Sequence, residues 1–159
     1  MSNEKLARML LFIYVLELLA VHFVNGYFYY TVINTWMYNI AILPQILCYV
    51  VILDVGKGKM FIANIVLLVL IPLVFILALP STTYEGGKAI VANEIDSNEA
   101  TFIPTSYSLI QTTDKQSWFI RDYSYHYEVK VSGEVQYYVV DPMTAGVIQL
   151  EEDFFRYDR

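Results

Sequence analysis

Residues 60–79 read MFIANIVLLVLIPLVFILAL, an apolar run interrupted only by Asn64 and Pro72. A helix of roughly 20 apolar residues is long enough to cross the hydrocarbon core of a bilayer. Two stretches upstream, at about 7–24 and 27–53, are similarly long and apolar. The sequence therefore predicts an all-α membrane half over residues 1–80, in which three helices form antiparallel hairpins.

The basic residues predict how this half is oriented. Lys5 and Arg8 precede the first span, Lys57 and Lys59 lie between the second and third spans, and the Asn25-Gly26 connection has no charge. Lysine and arginine are concentrated in the cytoplasmic loops of membrane proteins. We expect a cytoplasmic N-terminus, and a C-terminal half outside the cytoplasmic membrane of a bacterium.

Residues 81–159 are predicted to form a small extracytoplasmic α+β domain that ends in an antiparallel β-meander at about 118–151. Alternation begins at Asp122 in WFIRDYSYHYEVKV (118–131) and is typical of a half-buried strand, with His126 on its solvent face. Two more strands follow, EVQYYVV (134–140) and one from Val147, after a tight turn at Ser132-Gly133. Before the meander, Glu85-Gly86-Gly87 is expected to form a turn, and residues 88–94 are ambiguous between helix and strand.

Charge and motif content exclude several classes of function. The C-terminal half has 13 acidic residues against six basic ones, so it would repel nucleic-acid phosphates. HExxH, GxSxG and Walker A motifs are absent, and the one cysteine, Cys48, lies in the second span. We therefore predict that the protein is not an enzyme, and that it binds neither a cofactor nor a metal.

Polar side chains within the spans are candidate sites in the membrane. A carboxylate near the middle of a span costs about 2.5–3.5 kcal/mol on insertion scales, so Glu17 must face protein or water, or be protonated. Tyr14, one turn earlier, is placed to donate to it, and Asn34 and Asn39 are placed to bond across helices. These residues form either a partner-binding face, a proton or ion site, or a structural hydrogen bond within the bundle.

The outer domain is rich in aromatic residues, which are favoured in protein interfaces. Trp118, Tyr125 and Tyr138 are the candidates for binding a partner outside the membrane. The alternative is that the tyrosines form the core of the domain, because tyrosine also suits strands.

Residues 125–150, YHYEVKVSGEVQYYVVDPMTAGVIQL, resemble the C-terminal part of a PepSY-type domain. The likeness rests on a hairpin, a strand closing on Asp141, and a turn with Thr144 and Gly146 before a last strand. Ala145 departs from the usual Thr-Gly pair, and no family helix is evident before the hairpin. The resemblance implies an envelope protein that inhibits or modulates proteases or other envelope proteins.

Together these features predict a non-catalytic accessory or regulatory subunit of a larger membrane or envelope protein. Its helices, within the lipid bilayer, and its outer domain would both contact that partner. Two other interpretations stay open: a component of an oligomeric transporter or channel, and an immunity or exclusion protein.

Overall fold

The computed structural model describes residues 3–55, 58–95, 100–113 and 118–155, which form four helices and five strands. The helices are α1 (Asn3–Phe28), α2 (Thr35–Val55), α3 (Lys59–Leu77) and α4 (Tyr84–Ile95). The strands are β1 (Thr101–Ile103), β2 (Leu109–Gln111), β3 (Tyr123–Val131), β4 (Glu134–Val140) and β5 (Val147–Leu150). The prediction of helices together with a small antiparallel sheet is confirmed.

The chain divides into two compact units. The helical unit contains α1 up to Gly26, together with α2 and α3. The outer unit contains α4 and the sheet, together with Tyr27–Ile33, which are the last two residues of α1 and the connection to α2. The outer domain is therefore assembled from two separate parts of the sequence, whereas we predicted one.

The connection between the first two helices lies later than predicted. Asn25 and Gly26 are both within α1, and Gly26 has open space where a Cβ would stand. The chain turns instead at Tyr30 and Thr31, which have positive φ angles of 49° and 70°. Glycine without a positive φ does not interrupt a helix, so the Asn-Gly signal was misleading here. The stretch predicted as the second span therefore begins with the end of α1 and a loop.

Within the helical unit, apolar side chains on one face of α1 form a core. Leu6, Leu10 and Tyr14 are buried, with Phe61 and Leu68 of α3 packed against them. Of the described residues, one helical segment, Glu4–Phe28, is long and apolar enough to cross a membrane. The apolar part of α3, Phe61–Leu77, is shorter. The Cys48 side chain and Lys57 lie outside what the structure describes.

Helix α4 replaces the predicted turn at Glu85-Gly86-Gly87. The Thr83 hydroxyl accepts a hydrogen bond from the Gly86 amide at 3.0 Å and caps the start of the helix. Gly87 is buried against Tyr127, and a Cβ at Gly87 would lie 2.1 Å from the Tyr127 hydroxyl oxygen. Gly87 therefore allows close packing of α4 on the sheet, although the Gly-Gly pair in sequence resembles a turn.

All strand pairings in the sheet are antiparallel, in the order β1-β3-β4-β5, with β2 beside β1 on the same edge of β3. The predicted meander is present as β3, β4 and β5. Ser132 and Gly133 have φ angles of 50° and 94°, as in the type I′ turn that joins tight hairpins. The short strands β1 and β2 were not predicted.

Strand β3 is buried on both faces, contrary to the prediction of a half-buried strand. Burial extends from Ser124 to Val129, and His126 has no exposed surface. The Phe155 ring covers one side of His126, with ring centroids 5.3 Å apart. The alternation correctly predicted a strand, but it did not predict that Phe155 packs against the face that carries His126.

Candidate functional site

The outer unit contains a cavity of about 260 Å³ on the β1–β2 edge of β3. Strand β1 pairs with β3 at Glu128–Lys130, and β2 pairs with it at Tyr123–Tyr125. Residues 104–108 cross between these two pairings outside the strands. The cavity lies at this interruption, and its main ring-bearing and charged lining residues are Tyr30, Tyr84, Lys88, Phe102, Tyr127 and Glu128.

Four of the residues that line the cavity are aromatic. Tyr30 stacks on Tyr84 with ring centroids 4.0 Å apart, and Tyr84 lies 4.9 Å from Tyr127. Phe102 meets Tyr127 edge to face at 6.0 Å. The Tyr127 hydroxyl donates to the Tyr84 carbonyl at 2.7 Å, which fixes its ring against α4. We refer to this space as the aromatic cavity.

Charged groups of both signs border the aromatic cavity. The Lys88 ammonium is 2.7 Å from the Glu85 carboxylate and 5.1 Å from the centre of the Tyr84 ring. Glu128 also lines the cavity, although only 4% of the residue is exposed. Burial raises the pKa of the Tyr84 and Tyr127 hydroxyls, so both stay neutral at physiological pH. The cavity lining thus combines neutral tyrosine side chains with the buried Glu128 side chain.

Of the three outer-domain residues predicted to bind a partner, the structure leaves one on the surface. Trp118 is 78% exposed. Tyr125 is fully buried, with its hydroxyl donating to the Thr82 carbonyl at 3.4 Å. Tyr138 is also buried, and its hydroxyl donates to Gln136 Oε1 at 2.6 Å. Both rings therefore belong to the core, as in the alternative interpretation of the aromatic residues, and a partner-binding role for Tyr125 and Tyr138 stays a prediction.

The polar residues predicted in the helical unit do not form one site. Glu17 is half-buried on α1. Asn34 is not in a span, because it directly precedes α2, a position that asparagine favours at helix starts. Asn39 is half-buried in α2, and its Oδ1 atom makes no hydrogen bond to the residues that the structure describes.

Glu17 has a neighbour that the sequence analysis missed. Its carboxylate lies beside the side chain of Gln45, which is completely buried. Glu17 Oε2 and both polar atoms of the Gln45 amide make no hydrogen bond of standard geometry within the described chain. Gln45 follows Pro44 in an apolar run of α2, so its spacing alone did not point to α1.

The hydroxyl of Tyr14, which we expected to donate a hydrogen bond to Glu17, has a different acceptor. It donates to Asn64 Oδ1, and Asn64 Nδ2 donates to the Gln45 carbonyl at 3.3 Å. Tyr14, Asn64 and Gln45 therefore join all three helices of the unit through polar contacts. This chain of bonds is a structural use of buried polar groups, and Glu17 lies at its side.

The residues that carry the PepSY resemblance build the turn between β4 and β5. Asp141 Oδ1 accepts hydrogen bonds from the amides of Met143 at 2.7 Å and Thr144 at 3.3 Å. The left-handed position in this turn, with φ of 59°, is occupied by Ala145. The Gly146 amide donates to the Thr144 hydroxyl at 3.2 Å, so Asp141, Thr144 and Gly146 each have a local structural role in the turn.

His126 is a further buried polar group that the sequence placed in solvent. Its Nδ1 is 2.9 Å from the Tyr107 carbonyl, and a carbonyl only accepts, so Nδ1 bears the proton. Nε2 is buried and makes no hydrogen bond to the described residues. The ring is stacked on Tyr137, with centroids 6.2 Å apart, within an aromatic layer.

Comparison with other proteins does not assign the chain to a family. No known protein family, curated protein or solved structure matches the chain. In the described part of the chain, no group of three or more His, Cys, Asp and Glu residues is placed to hold a metal ion.

Proposed function

We propose that the protein is a three-pass protein of the cytoplasmic membrane that acts as a non-catalytic accessory or regulatory subunit of a larger membrane or envelope complex. Its N-terminus would be cytoplasmic and its outer unit extracytoplasmic. The partner would be an integral membrane or envelope protein, contacted in the bilayer and outside it. No enzymatic activity is proposed.

The loop between α1 and α2 supports this topology. The Arg121 amide donates to the Val32 carbonyl at 2.8 Å, and Ile33 forms a β-bridge with Ile120. Segments joined by backbone hydrogen bonds in one folded unit must be on the same side of a membrane. An uncharged first loop and an acidic C-terminal half on the outer side agree with the distribution of lysine and arginine.

Glu17 is the observation that carries the proposed partner contact. Its side chain is partly accessible on α1, and the neighbouring Leu16, Leu18 and Leu19 are exposed. A carboxylate within a span needs a donor or a counter-charge, since hydrocarbon supplies neither, and the buried Glu17 Oε2 makes no hydrogen bond to the described residues. A polar or basic side chain on a partner helix would meet this need, with the leucines packing around it.

Trp118 supports a second contact outside the membrane. A tryptophan that is 78% exposed is among the residue types most enriched at binding hot spots. The PepSY-like turn would be consistent with an envelope partner, and that resemblance stays a prediction.

The test is purification from native membranes in a mild detergent, followed by mass spectrometry of the proteins recovered with the chain. We expect a stoichiometric larger membrane protein. Glu17→Leu should reduce its recovery about ten-fold, which corresponds to roughly 1.4 kcal/mol, without lowering the amount of inserted protein.

His22→Leu is the matched control, because it introduces the same residue at an exposed polar position of α1. Recovery of the partner should be unchanged in this variant. A lone chain in the wild-type purification, or equal recovery with Glu17→Leu, would contradict the proposal and favour an oligomeric transporter or an immunity protein.

A further inference from the structure

We propose that a second cavity of the outer unit, beside the turn between β4 and β5, receives a lysine side chain from an extended segment of the partner protein. This site deepens the accessory-subunit proposal and rests on it for the class of partner. Three features of the described residues support the site: the composition of the cavity lining, two oxygens within it, and the open edge of β5.

The lining of this cavity has an apolar part and an oxygen-bearing part. Its volume is about 240 Å³. The apolar lining residues are Val139, Val147 and Ile148, and the polar ones are Thr112, Ser124, Asp141 and Thr144. A lysine side chain has the same division, because an aliphatic stem carries an ammonium group that only donates hydrogen bonds. We refer to this space as the turn cavity.

Two oxygens in the turn cavity make no hydrogen bond to the described residues. Asp141 Oδ1 accepts from the amides of Met143 at 2.7 Å and Thr144 at 3.3 Å, whereas Asp141 Oδ2 accepts from none of these residues. Ser124 is only 4% exposed, and its hydroxyl is likewise unbonded within the described chain. Buried polar groups normally have partners. An ammonium group has donors for both oxygens, and Asp141 supplies the opposite charge.

The outer edge of β5 is open to an added strand. Within the described residues β5 pairs with β4 alone, at the end of the sheet. The Asp141 amide donates to the Gly146 carbonyl at 2.9 Å, and bonded and non-bonded pairs alternate along antiparallel strands. The backbone groups of Ile148 therefore face β4, and those of Val147 and Gln149 face outward. An extended segment of another protein can pair with outward groups of this kind.

Ile148 connects this edge to the turn cavity. Its side chain is 64% exposed and lines the cavity. A residue opposite Ile148 on an added strand would carry its side chain on the same face of the sheet, close to the Ile148 side chain. A lysine at such a position, or two residues along the added strand, is placed to direct its ammonium group to Asp141.

The charge around the edge favours a basic segment. Glu151 and Glu152 directly follow β5 and are exposed. Of the described residues that line the turn cavity, none is a lysine or an arginine. Complementary charge across an interface raises the rate of association and discriminates against acidic partners. These features select a lysine over a neutral or acidic side chain.

The test uses the full-length protein in phosphatidylcholine nanodiscs, with empty nanodiscs as background. The probe is the fluorescently labelled peptide TVKVT with blocked termini, and its binding is followed by fluorescence anisotropy. Two comparison peptides have norleucine, which keeps the stem and removes the charge, or glutamate in place of the lysine. We expect saturable binding of the lysine peptide, about ten-fold weaker binding of the norleucine peptide, and no binding of the glutamate peptide.

Two pairs of variants locate the site. Asp141→Asn keeps an oxygen for the turn amides but removes the charge, so it should weaken binding of the lysine peptide about ten-fold. Asp153→Asn is the matched control and should leave binding unchanged, because Asp153 Oδ1 also accepts a backbone amide, that of Phe155, but lies outside the cavity lining. Gln149→Pro removes an outward amide and should weaken binding about five-fold, whereas Gln149→Ala should not.

Several results would overturn the lysine site: no saturable binding of the lysine peptide, equal binding of the norleucine peptide, equal losses in Asp141→Asn and Asp153→Asn, or undiminished binding by Gln149→Pro. The comparison of peptides on the wild-type protein needs no variant, so it decides the matter even if a variant fails to fold.

The peptide test and the recovery of a partner from native membranes fail separately. Recovery of a larger membrane protein without binding of the lysine peptide would support the accessory role and reject the lysine site. Selective binding of the lysine peptide by a chain that is purified alone would support the lysine site and reject the accessory role.

Discussion

At the scale of single residues, Gly87 is the position where α4 approaches the sheet most closely. A Cβ there would lie 2.1 Å from the Tyr127 hydroxyl oxygen and 3.0 Å from its ring carbon Cζ. The ring cannot move away easily, because its hydroxyl is bonded to the Tyr84 carbonyl. Gly87→Ala should therefore lower the free energy of unfolding by about 2–3 kcal/mol, measured as a lower thermal midpoint in detergent.

Tyr127→Phe provides the control for this steric explanation. It removes the atom nearest to the added methyl group, so Gly87→Ala should cost less in the Tyr127→Phe background than in the wild type. If the two substitutions were simply additive, the contact with the Tyr127 hydroxyl would not be the cause of the cost of Gly87→Ala.

The buried tyrosines predict how stability depends on pH. Burial raises the pKa of the Tyr84, Tyr125 and Tyr127 hydroxyls above the ordinary value of about 10. In the unfolded chain these hydroxyls ionise near pH 10, whereas in the folded chain they stay protonated. Their contribution is therefore complete below pH 10 and is lost as the pH rises above it.

We expect the free energy of unfolding to fall above pH 10 by up to about 1.4 kcal/mol per pH unit for each tyrosine that ionises only on unfolding, and burial also raises the pKa of Tyr29 and Tyr138. Tyrosinate absorbance should appear together with the loss of tertiary structure. Tyr127→Phe should lower this slope by up to about 1.4 kcal/mol per pH unit, and substitution of the exposed Tyr27 by phenylalanine should leave it unchanged. A slope unaffected by Tyr127→Phe would assign alkaline unfolding to other groups.

At the scale of elements, two glycines that look alike in sequence differ in backbone geometry. Gly26 is inside α1 with open space around it, whereas Gly133 is in the β3–β4 turn with a φ of 94°. Alanine is about 1 kcal/mol better than glycine in a helix, but it is strained at positive φ. Gly26→Ala should therefore stabilise the protein by up to about 1 kcal/mol, and Gly133→Ala should destabilise it by at least as much.

Thermal midpoints of the two variants, measured under the same detergent conditions, check this prediction. A lower midpoint for Gly26→Ala would mean that α1 ends before residue 26 and that the connection lies at Asn25-Gly26. The test thus addresses directly the element boundary that sequence patterns placed incorrectly.

The sequence predicts the elements that depend on interactions between residues close together in the chain, and it misses those that depend on distant residues. The β3–β4 hairpin is local, since its alternation and its Ser132-Gly133 turn lie within one short stretch, and it was predicted. The helical state of Gly86-Gly87 depends on Tyr127, about 40 positions away, and was missed. Burial of His126 depends on Phe155, and the Glu17–Gln45 pairing depends on how α1 and α2 pack.

The candidate sites show the same distinction. The sequence identified Glu17 because a carboxylate within an apolar run is unusual. It identified Trp118 because the C-terminal half is rich in aromatic residues. The aromatic cavity was not foreseen, because Tyr30 comes from the first loop, while Lys88, Phe102 and Glu128 come from three different elements. No spacing rule connects residues that only a folded domain brings together.

At the scale of the whole molecule, the proposed three-pass topology can be tested with single cysteines. A Cys48→Ala background has no other thiol, since Cys48 is the only cysteine. Cysteine is then placed at Ser132 in the β3–β4 turn and at Lys59 at the start of α3, both of which are exposed positions. A membrane-impermeant maleimide is applied to intact cells and, separately, to disrupted membranes.

We expect Ser132→Cys to be labelled in intact cells, because the outer unit would be extracytoplasmic, and Lys59→Cys to be labelled only after disruption. Thr31→Cys, in the exposed loop residue that belongs to the outer unit, should react like Ser132→Cys. This third position makes the test independent of the lysine and arginine distribution. If Thr31→Cys and Ser132→Cys reacted from opposite sides, the β-bridge between Ile33 and Ile120 could not form in the membrane-inserted protein, and both the topology and the composition of the outer unit would be wrong.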